Sequence, residues 1–237
     1  MEDNKIRIAS FDIGKKNFAF LIEEVDISVL TSIVNIPVYQ RYNIDSTPTD
    51  EFQIILNNVF SSGRIILYIN SDITTGCSKS KNIEQRLLYN MQILLDEYSL
   101  YFDTCSIIII EKQMAFGNKI NTIALKLGQN CMSYFVFKYG MFKEIVEFPA
   151  YHKTQILGCS KILKSKKNEK NKYVSVNKYT RKKWSIQEAI NILSIRSDNT
   201  NLNHLIKSKK KDDLADTLTQ LQAYKYINFV DTEKLKI

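Results

Sequence analysis

Four consecutive isoleucines, Ile107 to Ile110, run straight into a glutamate in the stretch CSIIIIEKQ. A β-branched run without alternation is the pattern of a strand buried on both faces, as at the centre of a sheet flanked by helices. Glu111 then stands at that strand's carboxyl end, where such sheets place chemistry, although a polar residue where a strand stops is also ordinary. Upstream, IRIASFDIG and Asn17 to Glu24 read as two strands joined by a Gly-Lys-Lys turn, a hairpin with Asp12 at its rim. A third strand is expected near Val29 to Tyr39, a short helix from about Glu51, and an apolar run at Arg64 to Asn70. From Asn82 to Ser99, Leu87, Leu88, Met91, Leu94 and Leu95 recur at threes and fours, the spacing of an amphipathic helix.

The alternation continues downstream. A helix is expected from about Lys119 to Lys138, a strand over EIVEFP, short helices at His152 to Leu157 and Trp184 to Leu193, and a last long helix from about Asp212 to Ile227. Opening strands followed by alternating helix and strand predict an α/β fold, a mixed sheet with helices on both faces. At 237 residues the chain is expected to form a single domain, with an extended region at about 39–81 and a basic insertion at about 160–183.

Composition narrows the classes. No N-terminal apolar segment approaches spanning length, so an intracellular protein without signal peptide or membrane anchor is expected. The four cysteines form no CxxC pair and the two histidines are far apart, which disfavours a zinc site or a disulfide framework. Charge is localised: residues 161–183 hold ten Lys/Arg against one acid, a local +9, leaving the rest of the +8 chain at −1. Such a block reads equally as a solvated loop and, interleaved with Tyr173, Tyr179 and Trp184, as a contact for a phosphate backbone with stacking side chains.

Asp213 and Asp216 in KKKDDLADTLTQ are three apart on the last helix, with Cβ atoms about 5–6 Å apart. Helix capping accounts for Asp212 and Asp213 but leaves Asp216, one turn in among apolar neighbours, unexplained; a divalent cation would turn the repulsion into coordination. Asp12-Ile13-Gly14 also resembles the opening of sugar-kinase and actin-like ATPases. Those carry a second D-x-G hairpin, and this chain has none, so no nucleotide cofactor is expected.

In order, FDIG with Asp12, IIIIEKQ with Glu111, ALKLGQ at Ala124 to Gln129, FPAYHKTQILG with Lys153, and DDLADTL with Asp213 and Asp216 resemble the RuvC-type Holliday junction resolvases of the ribonuclease H-like superfamily, in particular those of poxviruses and other large DNA viruses. The resemblance implies a five-stranded mixed sheet and a homodimer that nicks four-way DNA junctions symmetrically, in recombination and viral concatemer resolution. It implies two Mg²⁺ ions, with Mn²⁺ as substitute, held by Asp12, Glu111, Asp213 and Asp216, and Lys153 near the scissile phosphate. Phe116, with Met114 competing for the role, and Lys126, Lys182 and Lys183 are the residues it points to for DNA contact. If the chain is viral, host-cell cytoplasm at replication sites is the expected location. Two readings stay beside it: another nuclease of the superfamily acting on RNA–DNA hybrids or flaps, and a non-catalytic DNA-binding module.

Overall fold

The computed structural model describes residues 4–78, 82–113, 121–164 and 172–231. Strand β1 (Lys5–Asp12) pairs antiparallel with β2 (Phe18–Asp26), and β2 with β3 (Gly63–Ser71), while β4 (Ile107–Lys112) lies parallel to β1 and β5 (Glu144–Pro149) parallel to β4. The order is β3-β2-β1-β4-β5, the expected five-stranded mixed sheet.

The isoleucine run behaves as its pattern requires. Ile107 and Ile109 enter one core with Ile8 and Leu21, beneath α2 (Asp50–Ser61), α6 (Tyr151–Ile156), α7 (Lys178–Ile195), α8 (Asn199–Lys207) and α9 (Lys211–Lys225). Ile108 and Ile110 enter a second core with Ala9 and Phe11, covered by α3 (Gln85–Glu97), α4 (Ser99–Asp103) and α5 (Thr122–Tyr139). Successive side chains of a strand alternate between faces, so a β-branched side chain at every position serves both cores.

One expectation needs correction, and two elements were not anticipated. No strand forms between Val29 and Tyr39. β3 already fills the free edge of β2, and the segment instead makes α1 (Ile27–Thr31), capped by the Asp26 carboxylate accepting from the Ser28 N–H at 2.9 Å. Beyond it, Ile33 and Ile36 pack on the α9-side core and Val38–Gln40 form a 3₁₀ turn. Part of the basic block is ordered secondary structure: β6 (Lys161–Lys164) pairs antiparallel with β7 (Lys172–Ser175), and α7 starts at Lys178 because Asn177 caps it through Thr180 N–H. Helix α8 has no counterpart in the sequence-based expectation; its start is capped by Asp198, accepting from Asn201 N–H.

A buried ionic cluster ties α9 to the sheet. Glu23 of β2, fully buried, receives Arg196 at 2.9 and 3.1 Å, Lys225 at 2.7 Å and the Gln222 amide at 3.0 Å. Gly63 makes room for it, since a Cβ there would fall 1.8 Å from the Glu23 carboxylate. Two cations on one anion leave a buried excess of positive charge. Against the burial that raises it, Arg196 and then Lys225 hold the Glu23 carboxyl down to about 2, and burial presses the Lys225 amine to about 8.

Candidate active site

Sheet register brings the first two acids together. The parallel pairing of β1 with β4 runs from Ile8 with Ile107 to Phe11 with Ile110, and one residue further along each strand stand Asp12 and Glu111. Both share the parity of the residues that face α9. That helix is pinned beside them: Ser10 Oγ donates to the Thr217 carbonyl at 2.9 Å, and the Gln220 amide donates to Ser10 Oγ at 3.0 Å and to the Phe11 carbonyl at 3.3 Å. The pin fixes the turn of α9 that carries Asp213 and Asp216 over the carboxyl ends of the two central strands.

Lys153 closes the group from the β5 side. It stands in α6, just beyond the end of β5, and is 7% exposed. Its Nζ lies 2.7 Å from Glu111 Oε1 and 3.1 Å from Asp216 Oδ2. Although burial opposes it, Asp216, Glu111 and Asp12 hold this lysine protonated far above its usual range. Around the acids, Ser185 Oγ donates to Asp216 Oδ1 at 2.7 Å, the Gln113 amide donates to Glu111 Oε2 at 3.3 Å, and Lys182 pairs with Asp212.

One ammonium does not neutralise the cluster. Burial, then Glu111 and Asp216, raise the Asp12 carboxyl well above the usual carboxylate range in spite of Lys153. Burial, then Asp212, push Asp213 up to about 6. Asp213 Oδ2 is buried with no hydrogen-bond partner among the described residues. An all-oxygen donor set with surplus negative charge and an orphaned carboxylate oxygen has the chemistry for hard divalent cations. In this arrangement Lys153 spans Glu111 and Asp216, and among the described residues no three ligating side chains converge closely enough to enclose an ion.

The residues expected to contact DNA are dispersed. Lys182 borders the acids through Asp212, whereas Lys183 projects over the Tyr179 ring, 4.6 Å from its centroid. Lys126 is exposed on α5, which covers the opposite sheet face. Phe116 and Met114 lie outside the described residues. Sequence reasoning missed Ser185 and Gln113: a serine and an amide carry no signal until the fold sets them against an acid. It also missed Tyr68, whose buried hydroxyl has no partner among the described residues and feels the Asp216 charge. Among the described residues no helix is long and apolar enough to cross a membrane.

No protein-family model matches the chain. The "Uncharacterized protein 170L" of invertebrate iridescent virus 6 is 34% identical over 237 residues, covering 95% of this chain and 91% of the relative. Among solved structures, Thermus thermophilus RuvC aligns over 93% of this chain and 95% of its own with a TM-score of 0.50 and 9% identity. The fowlpox virus resolvase, solved with its substrate Holliday junction DNA, aligns over 93% and 97% with a TM-score of 0.49 and 18% identity. The RuvC likeness is one of fold, and the chain has the ribonuclease H-like fold.

Proposed function

This chain belongs to the family of iridescent virus protein 170L, and we propose that it is a Holliday junction resolvase, a structure-selective endodeoxyribonuclease that nicks four-way DNA junctions during viral recombination and concatemer resolution. The observation that carries the reading is the meeting, on a ribonuclease H-like sheet, of Asp12 and Glu111 at adjacent strand ends with Asp213 and Asp216 of α9 and with Lys153. The ordered motifs that resemble the viral resolvases supply these same five residues.

Asp12, Glu111, Asp213 and Asp216 would hold Mg²⁺, or Mn²⁺ in its place, two ions per site, which when bound polarise the phosphodiester and activate water. The chain's own work is positional. β1 and β4 set Asp12 and Glu111 side by side on buried strands, and Ser185 fixes the rotamer of Asp216. Lys153 keeps a permanent positive charge at the cluster, available to the phosphorane-like charge of the transition state. Lys182 and Lys183 would meet the backbone of the bound strand beside the cluster, Lys126 and Phe116 are the further residues that the resemblance assigns to DNA contact, and a homodimer would present two sites to opposed strands.

The test uses purified protein and a synthetic four-way junction in Mg²⁺. Asp12→Asn and Glu111→Gln are each expected to abolish cleavage while junction binding persists. Cleavage by either variant at the wild-type rate refutes the site assignment.

A further inference from the structure

Behind the acid cluster lies a cavity of about 380 Å³, within the roughly 300–1,000 Å³ of ligand-binding pockets. It lies between α6, the loop around Tyr42 and Ser46, and the start of the basic block. One wall is α6: Tyr151, Thr154 and Gln155 recur at three and four on one face of it, while Lys153 projects from another into the acids. The facing wall is the loop around Tyr42 and Ser46, and the floor and rim come from Lys161, Ser175 and Arg181 of the β6–β7 hairpin and α7.

These walls are fastened to one another. Tyr42 OH donates to the Ile156 carbonyl at 2.9 Å and the Lys161 N–H to the Asp45 carbonyl at 2.7 Å. Gly158, at φ +77, has Pro48 Cδ 2.3 Å from where a Cβ would stand, so only glycine lets the loop close on α6. The cavity is a constructed feature and not a gap between loose segments.

Its lining has a definite chemistry. No carboxylate contributes to the described wall, and neither Lys161 nor Arg181 has an ion-pair partner among the described residues. Tyr151, 48% exposed, offers an aromatic face, and Ser46, Thr154 and Ser175 offer hydroxyls. Two cations without an ion-pair partner among the described residues select an anion, a half-exposed tyrosine ring that packs on His152 at 4.5 Å extends an aromatic surface to a planar base, and hydroxyls suit base edges. The cavity adjoins the acids through shared elements: α6 carries both Tyr151 and Lys153, and Arg181 precedes the Lys182 that pairs with Asp212.

We infer that this cavity takes one unstacked nucleotide, its base against Tyr151 and its phosphate at Lys161 and Arg181, supplied by the strand that runs through the acid cluster. The inference rests on the proposed nuclease function for the source of the nucleotide and on the cavity's own lining for its chemistry. A nucleotide held here would keep one strand of a branch point unpaired next to the site of cutting.

The experiment uses full-length Glu111→Gln protein with four-way junctions bearing 5-iodouracil at successive positions around the crossover, irradiated and mapped by mass spectrometry. A 5-iodouracil-labelled oligothymidine is run in parallel, with unlabelled thymidine 5′-phosphate as competitor. Cross-linking to Tyr151 or Tyr42 from one or two adjacent positions is expected. Its yield should fall about tenfold, the scale of one base–aromatic contact, in Thr154→Trp, which fills the cavity, and in the exposed-site variant Arg181→Glu. Displacement by thymidine 5′-phosphate would identify a free nucleotide as the ligand, and resistance to it a nucleotide held by its strand. Junction binding with cross-links confined to other residues overturns the cavity assignment and leaves the nuclease reading standing. Oligothymidine cross-linked to Tyr151 by a protein that does not bind junctions supports the cavity and overturns the resolvase reading. Absence of cross-linking from every substrate overturns the cavity assignment.

Discussion

Replacing Lys153 by methionine removes the one ammonium seated between Glu111 and Asp216 and leaves Asp12, Glu111, Asp213 and Asp216 facing one another. With Nζ 2.7 and 3.1 Å from the two carboxylates, the contacts carry about 6 and about 5 kcal/mol of Coulomb attraction at an effective dielectric constant of about 20. Desolvation of the lysine offsets much of that, and breaking a buried pair by deleting one partner costs about 3–5 kcal/mol net. Two features favour the lower end: the Glu111 and Asp216 side chains keep 12% and 20% of their exposure, and Asp12, already raised, takes up a proton more readily once the ammonium is gone. Lys153→Met is therefore expected to lose about 3 kcal/mol at pH 7 in EDTA, or about 6–12 °C in Tm for a chain of this size.

The assay is thermal and urea unfolding followed by Trp184, the chain's single tryptophan, partly buried against the α9-side core. A cation binding only the folded site stabilises by about 2.7 kcal/mol at a hundred times its Kd. Titration with Mg²⁺ should thus restore most of the loss in Lys153→Met and stabilise the wild type less, because there the ammonium already offsets part of the negative charge. A variant within about 0.5 kcal/mol of wild type in EDTA, the ordinary scatter of surface substitutions, would mean that the ammonium does not hold the acids together. A deficit that Mg²⁺ leaves unchanged would mean that these acids bind no cation.

Further expectations concern the buried anion and the support of Asp216. Glu23→Gln leaves Arg196 and Lys225, both nearly inaccessible, without a counter-charge and should cost about 3–5 kcal/mol in urea unfolding; an unchanged midpoint means the cluster contributes nothing. Because the Glu23 carboxyl is held at about 2 against an ordinary 4.5, its contribution is complete above pH 4.5 and is lost as pH falls through 2. That amounts to about 3 kcal/mol, and Glu23→Gln should flatten the stability profile across this window. Ser185→Ala removes the hydroxyl that donates to Asp216 and should lower kcat about tenfold with junction affinity retained, the usual scale for outer-shell support of a ligand; unchanged turnover would show that Asp216 is oriented without it.

The central part of the fold was legible because single patterns had single solutions. IIIIE reads as a two-sided strand, and its alternate isoleucines serve separate cores. Asp213 and Asp216 needed only the helical period. The failures share a cause, which is that tertiary neighbours decide where local preference is weak. Ile33 and Ile36 have strand-forming side chains, yet no sheet edge is free for them, and Asn35 is held instead by Tyr226 OH at 2.9 Å. The Lys161 to Lys183 block reads as solvated loop from charge alone, but Ile162, Leu163, Tyr173 and Val174 pair across β6 and β7. The convergence of Lys153 on the acids rests on where α6 begins after β5, a distance in space that no spacing in the sequence encodes. The Tyr42 loop that walls the cavity was illegible for the same reason, since its partners, Ile156 and Lys161, are more than a hundred residues away.

Substrate competition tests the resolvase reading most directly. Purified protein in Mg²⁺ is given equal amounts of a four-way junction, an RNA–DNA hybrid and a linear DNA duplex, each with a distinct label. The expected result is paired, symmetric nicking of opposed junction strands, with the hybrid and the linear duplex left intact. Preferential cleavage of the hybrid would assign the Asp12–Glu111–Asp216 site to another nuclease of the same fold, and a junction bound but never cut would contradict catalysis by these acids altogether.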